Sequence, residues 1–308
     1  MAKVLVTGGA GFIGSHLVEA LLRARHRVVV VDDLSSGRRA FVPAAATFHK
    51  LDVRSAKLGA LVARLKPAYV CHLAAQPSVV RSQADAAHDA SINIVGGLNL
   101  LQAVRSLNIR KFLLVSSAAV YGDPATVPTA ETDSLDPCSP YALSKHTMER
   151  YLEYYAREQA MPVVTVRPAN VYGPRQGVGG EGGVVGVFAR AILKHNPLTI
   201  HGRGDQTRDY VYVGDVAAGL AAALESGSGA YNLSCGRDIS VRELVIKFGE
   251  VLGVVPRVTY APLRPGDPKR SALSPRKAER ELDWRAQVPL VEGLRLTLRW
   301  LKDNPKYL

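Results

Sequence analysis

The chain has 308 residues, 47% of them hydrophobic and 21% charged, which is enough apolar material for a sizeable core and rules out wholesale disorder. Its net charge of +12 is spread along the chain without a run of five basic residues, and aromatics are only 6%, a pattern that does not fit nucleic-acid binding. No stretch is long and apolar enough to cross a membrane, the strand-like run at 3–7 leaves no room for a signal peptide, and Cys71, Cys138 and Cys235 form neither a disulfide framework nor a metal cluster; a cytoplasmic protein without a metal or a membrane partner is expected.

Strand-like apolar runs at 3–7, 27–32, 69–73, 112–116 and 163–167 alternate with amphipathic stretches such as 14–24, 92–107 and 141–158. Continuous apolar strands alternating with helices predict an α/β fold, a Rossmann-type doubly wound parallel sheet covered on both faces. After Val171 the texture changes. Gly177-Val-Gly-Gly-Glu-Gly-Gly183 reads as a mobile loop, helices are expected near 184–194 and 291–301, and Pro and Gly recur through 256–268. The expected organisation is a cofactor-binding domain over 1–172, joined by about 209–233, and a smaller α/β substrate domain over most of 173–308.

The first strand runs into Gly8-Gly-Ala-Gly11-Phe-Ile-Gly14 and then into a helix. Glycines at this spacing let the backbone turn tightly and approach a pyrophosphate, whose charge rests on the helix N-terminus. Asp32 ends the second strand, where a carboxylate binds the ribose hydroxyls of NAD and repels a 2′-phosphate; the basic pair Arg38 and Arg39 is the feature that would soften that choice. Asp52 and Val53 fall where the adenine edge is expected.

The fourth apolar strand continues into Ser116-Ser-Ala-Ala-Val-Tyr-Gly122. Ligands bind beyond the carboxyl ends of such strands, so these hydroxyls face the cofactor crevice. Further on, Ser139 suits a helix N-cap and Pro140 the first helical position. Tyr141 and Lys145, four apart, then share a face of that helix. A phenol has an unperturbed pKa of about 10; a fixed ammonium favours its ionised form, which makes the pair a candidate proton-transfer device. A serine beside it can hydrogen-bond a substrate hydroxyl while a nicotinamide exchanges hydride.

The chain resembles the extended short-chain dehydrogenase/reductase superfamily and, within it, the UDP-glucose (UDP-galactose) 4-epimerases. The likeness rests on Thr7-Gly-Gly-Ala-Gly-Phe-Ile-Gly-Ser-His16, Asp32-Asp-Leu-Ser-Ser-Gly37, His72-Leu-Ala-Ala-Gln-Pro-Ser-Val79, the 116–122 segment, Tyr141-Ala-Leu-Ser-Lys145, Arg167-Pro-Ala-Asn-Val-Tyr-Gly-Pro174, Arg208-Asp-Tyr-Val211 and Arg264-Pro-Gly-Asp267. It implies NAD as cofactor, held by Gly8, Gly11, Phe12, Ile13, Gly14, Asp32, Asp33, Ser36, Gly37, Asp52, Val53, Leu73, Ala74, Ala75, Tyr141 and Lys145. It also implies that Ser117 and Tyr141 meet the sugar 4-hydroxyl and that Lys145 binds the nicotinamide ribose. Asn170, Arg208 and Arg264 would hold the diphosphate of a UDP-sugar, and Asp267 its ribose; guanidinium forks suit phosphate oxygens independently of any family.

The implied reaction is 4-epimerisation through a 4-keto sugar, with the glycine-rich segment 177–183 as a lid. Ser271 stands where many hexose-limited relatives carry a tyrosine, which implies room for an N-acetyl group at C2. A 4,6-dehydratase would carry Asp-Glu after the central serine, where this chain has Ala118-Ala119. UDP-glucuronate 4-epimerase or decarboxylase activity, a net reductase and a non-catalytic NAD-binding regulator stay open. The superfamily's habit implies a homodimer through 92–107 and the helix carrying Tyr141.

Overall fold

A computed structural model of the chain describes residues 1–177, 183–262 and 269–308. In chain order the first half runs β1 (Lys3–Thr7), α1 (Phe12–Arg23), β2 (Arg27–Asp32), β3 (Thr47–Lys50), α2 (Lys57–Leu65), β4 (Tyr69–His72), α3 (Val79–Ala84), α4 (Ala86–Ala90), a π-helical turn (Ser91–Gly96), α5 (Gly97–Val104), β5 (Lys111–Val115), α6 (Pro140–Gln159) and β6 (Val163–Pro168). The second half runs β7 (Asn170–Tyr172), α7 (Val184–Leu193), β8 (Leu198–His201), β9 (Thr207–Arg208), β10 (Tyr210–Tyr212), α8 (Val213–Ser226), β11 (Gly229–Leu233), β12 (Ile239–Ser240), α9 (Val241–Leu252), β13 (Val258–Ala261), β14 (Arg270–Ser271), α10 (Arg276–Glu281) and α11 (Leu290–Asp303).

Seven parallel strands make the central sheet, in the order β11-β6-β5-β4-β1-β2-β3. Alternation along β1 shows why its strands read as unbroken apolar runs. Val4 and Val6 enter the core on the side of α1 and α8, with Leu17, Val18, Leu21 and Leu220, whereas Leu5 enters the core on the side of α2, α5 and α6, with Leu58, Val62, Leu101 and Leu152. Both faces are buried, so no polar alternation survives. Each such Leu or Val contributes about 1.5–3 kcal/mol of burial. A third apolar cluster, including Tyr172, Phe188, Phe248 and Leu298, holds α7, α9 and α11 together beyond the sheet.

The strand order reverses between β1 and β4: β2 and β3 follow β1 on one side, and β4 lies on its other side. This is the switch point at which a crevice opens beyond the carboxyl ends of the strands. The helix expected over 92–107 differs in detail. Its first part is the π-helical turn, which places Asn93 inward before α5 takes over, and α5 ends at Val104. Strand β3, half-buried at the sheet edge, has too few apolar residues for periodicity to reveal it. No helix among the described residues is long and apolar enough to cross a membrane, and Cys71, Cys138 and Cys235 are free thiols.

Candidate active site

The crevice floor is the turn between β1 and α1. Gly8 has φ +73°, and a Cβ there would lie 2.5 Å from the Ala74 backbone nitrogen. A Cβ on Gly14 would lie 2.1 Å from the Gly8 carbonyl oxygen, and one on Gly37 would lie 2.8 Å from the Ala10 carbonyl carbon. Only glycine lets the three segments approach this closely. No side chain caps the start of α1 and no acid lies in its first turn, so the amides around Phe12 and Ile13 form an electropositive helix end. Leu73, hydrogen-bonded to the Thr7 carbonyl at 3.0 Å, carries Ala74 and Ala75 along the opposite wall.

Asp32 is buried at the end of β2, where its carboxylate accepts the amides of Ala10 at 2.9 Å and Leu34 at 2.8 Å. Burial raises its pKa and these two amides lower it. Asp33 accepts the Ser35 amide, Ser36 is exposed, and Gly37 packs on Ala10. Arg39 stacks over Phe48 and donates to the Val42 carbonyl. Asp52 is gripped by Arg54, whose Nε lies 3.0 Å from both carboxylate oxygens, and Val53 is buried against Gly96. The residues fit a dinucleotide: a cradle that a Cβ would fill, a free helix N-terminus, and a carboxylate at the end of β2.

Helix α6 brings the candidate catalytic pair to this crevice. Ser139 caps it, accepting the Ala142 amide at 3.1 Å, and Pro140 takes the first turn. Tyr141 lies beside Ser117, which stands two residues beyond the end of β5 and accepts the Ala119 amide at 3.1 Å. Lys145 donates to the Val115 carbonyl at 2.8 Å. Burial pushes the Tyr141 pKa up, Ser117 lowers it and Asp89 raises it. Burial lowers Lys145 to about 8, against the raising influence of Asp89 and Glu149. Cation and phenol are neighbours on one helix face, but the ammonium turns to a backbone carbonyl rather than to the phenol.

On the far side, Asn170 opens β7 with its side chain exposed, and its amide donates to the Asp209 carbonyl at 2.9 Å. Arg208 neighbours that residue on β9, half-buried, and Ser271 pairs with it across β14. Asn170, Arg208 and Ser271 therefore line one edge. Arg264, Asp267 and most of the glycine-rich 177–183 segment lie outside the described residues.

Three buried groupings join residues that the motifs quoted above leave without a role. Glu149, two turns beyond Tyr141, forms a bidentate pair with Arg167 of β6 at 3.0 and 2.6 Å, and Arg167 also donates to the Tyr121 hydroxyl at 2.9 Å. That hydroxyl donates to Asn232 of β11. Asp209, fully buried, accepts the amides of Cys235 and Gly236, each at 3.0 Å, and burial pushes its pKa up to about 7. Gln76, Asp89, Asn93 and Ser144 form a dry polar cluster under α6.

Residues 4–234 match the model of the NAD dependent epimerase/dehydratase family. A protein of Mycolicibacterium smegmatis named UDP-glucose 4-epimerase is 41% identical over 98% of this chain and 99% of its own length. Among solved structures, a UDP-glucose 4-epimerase of Thermotoga maritima with UDP-glucose superposes with a TM-score of 0.96 at 39% identity, covering 98% of this chain and 99% of that one. A UDP-glucose 4-epimerase of Thermus thermophilus in complex with NAD gives 0.93 at 43% identity, covering 97% and 99%.

Proposed function

The chain belongs to the NAD dependent epimerase/dehydratase family, and on that premise we propose that it interconverts UDP-glucose and UDP-galactose by inverting the sugar at C4. NAD, when bound in this crevice, would supply the hydride chemistry at the sugar C4. The chain's own residues do the rest. Gly8, Gly11 and Gly14 with the α1 N-terminus hold a pyrophosphate, and Asp32 takes ribose hydroxyls, each of its oxygens keeping a lone pair beyond the amide it already accepts. Ser117 donates to the Tyr141 oxygen, favouring the form that removes the 4-hydroxyl proton, and Tyr141 later returns that proton to the 4-keto oxygen. Lys145 supplies the neighbouring cation. Asn170 and Arg208, with Arg264 and Asp267, hold the nucleotide diphosphate and its ribose, so the sugar is free to turn over while its handle stays fixed.

What supports this reading most is the placement of Ser117 beside Tyr141 at the carboxyl end of the sheet, next to a glycine cradle shaped for a dinucleotide. The experiment is incubation of the purified protein with UDP-galactose and UDP-glucose, without added cofactor, followed by chromatography. Interconversion supports the cycle; a net oxidised or dehydrated product overturns it.

The small Ser271 at the pocket edge leaves room for an N-acetyl group at C2, so the acetylated UDP-sugars are substrates on this reading as well. The protein is a cytoplasmic homodimer on the same reading. Leu143, Tyr151 and Tyr154 of α6 lie outward, with Val80 of α3 and Val95 of the π-helical turn exposed beside them, whereas Met148 and Leu152 are spent inside the monomer. Sedimentation as a monomer at micromolar concentration would remove the dimer.

A further inference from the structure

Beneath the Tyr141–Lys145 face lies a side chain that the epimerase cycle has not used. Asp89, on the short helix α4 packed against α6, is only 1% exposed. Its Oδ1 accepts from Gln76 Nε2 at 2.8 Å and from Asn93 Nδ2 at 3.1 Å. Its Oδ2 is buried with no hydrogen-bond partner among the described residues. A carboxylate oxygen stripped of water and left unpaired costs on the order of 1–3 kcal/mol or more, and fold stability gives no reason to keep it. The cluster also reaches the catalytic helix. Asn93 Nδ2 donates to Ser144 Oγ at 3.0 Å, and Ser144, between Tyr141 and Lys145, donates to the Tyr141 carbonyl at 2.9 Å.

We propose that Asp89 is a positioning residue acting through Tyr141 and Lys145: a dry counter-charge beneath α6 that sets the pH window in which the pair works. This rests on the epimerase reading above and adds to it the group that fixes its pH range. The other charges facing the pair do not duplicate it. Glu149, on α6 itself and held by its bidentate partner Arg167 from β6, raises Lys145 alone. His72 of β4 is buried, hydrogen-bonded to Thr7 Oγ1 at 2.7 Å, and held neutral by burial and by Lys145, its pKa lowered to about 3. Ser117 meets Tyr141 as a neutral hydroxyl. Asp89 is the member of this set that acts on both in one direction: it raises Tyr141 by opposing the phenolate and raises Lys145 by favouring the ammonium. The ionisation of Tyr141 and that of Lys145 are the two steps that a pH profile reads. Removing the anion lowers both steps together.

The test is the pH profile of kcat for UDP-galactose turnover by the full-length protein and its Asp89→Asn variant. The variant is expected to move both limbs of the profile toward acid by about one pH unit, the scale on which one nearby charge moves a pKa. A variant whose activity drops while both limbs stay in place, or whose limbs move toward alkali, overturns the proposal; a purely structural role predicts the first of these. Asp89→Ser, which leaves room for a water, carries the same expected shift if the amide variant does not fold. A wild-type protein inactive on every UDP-sugar overturns the epimerase reading instead. In that event the ultraviolet phenolate absorbance of Tyr141, read against Tyr141→Phe, still tests Asp89: ionisation at lower pH in Asp89→Asn supports it, and an unmoved titration ends it.

Discussion

Gly8 offers the sharpest structural perturbation of the cofactor crevice. Replacing it with alanine puts an L side chain at φ +73° and a Cβ 2.5 Å from the Ala74 nitrogen and 2.7 Å from the Leu73 carbonyl carbon. Both neighbours are backbone, so neither yields by changing rotamer. The left-handed backbone costs about 1–2 kcal/mol and the overlap about 1–3 kcal/mol, so the turn is strained by roughly 2–5 kcal/mol. If the turn relaxes by pushing the Leu73–Ala74 wall outward, the cost appears as NAD affinity lost, roughly 30-fold to a few thousand-fold at 1.4 kcal/mol per decade. If it does not relax, the same strain lowers the unfolding midpoint. Calorimetric NAD titration together with a melting curve captures both routes. Gly59 of α2 is the control: a Cβ there meets nothing within 4 Å, so Gly59→Ala should stabilise the protein by about 0.4–1 kcal/mol and leave NAD binding alone. Wild-type affinity and wild-type melting in Gly8→Ala would refute the close-approach argument.

Other perturbations separate the buried groupings. Glu149→Gln leaves the buried Arg167 guanidinium uncompensated, so denaturant unfolding should show a loss of about 3–5 kcal/mol; a loss below about 1 kcal/mol would mean that water reaches the pair. Asp209 is raised from 3.8 to about 7 in the folded protein. A group whose folded pKa lies above its unfolded value contributes stability that is complete below the unfolded pKa and lost as pH rises through the folded one. Stability from this group should therefore fall between about pH 4 and 7, and Asp209→Asn should flatten that part of a melting-temperature profile; an identical slope in the variant would count against it. Ser271→Tyr should abolish turnover of UDP-N-acetylglucosamine while retaining most activity on UDP-galactose, and equal loss on both sugars would show that Ser271 does not set the C2 pocket.

The parts of the molecule legible in the sequence are those with local causes. The strand-like runs at 3–7 and 27–32, apolar through their middles, are β1 and β2 to the residue, because a strand buried on both faces has nothing to alternate with. Ser139-Pro140 marks the start of α6 because capping is a matter of adjacent residues. What escaped is set by tertiary contact. Strand β3 holds its place through pairing with β2, and the π-helical turn at Ser91–Gly96 accompanies the inward turn of Asn93. For the site, the spacing of Tyr141 and Lys145 announced their shared face but not their electrostatics. Helix geometry does not report that Lys145 is buried and Tyr141 half-buried, that Lys145 would reach the Val115 carbonyl, or that Asp89 lies beneath them. Glu149 and Arg167, 18 residues apart, become partners only when α6 crosses β6.

The central claim is that Tyr141 moves the proton of the sugar 4-hydroxyl, and the most direct measurement compares kcat of wild type and Tyr141→Phe for UDP-galactose, alongside NAD and UDP binding. The phenyl ring keeps the packing of α6 and loses only the hydroxyl that meets Ser117. Both ligands should bind as before while kcat falls by about 10²–10⁴-fold; near-normal turnover with both ligands bound would contradict the account.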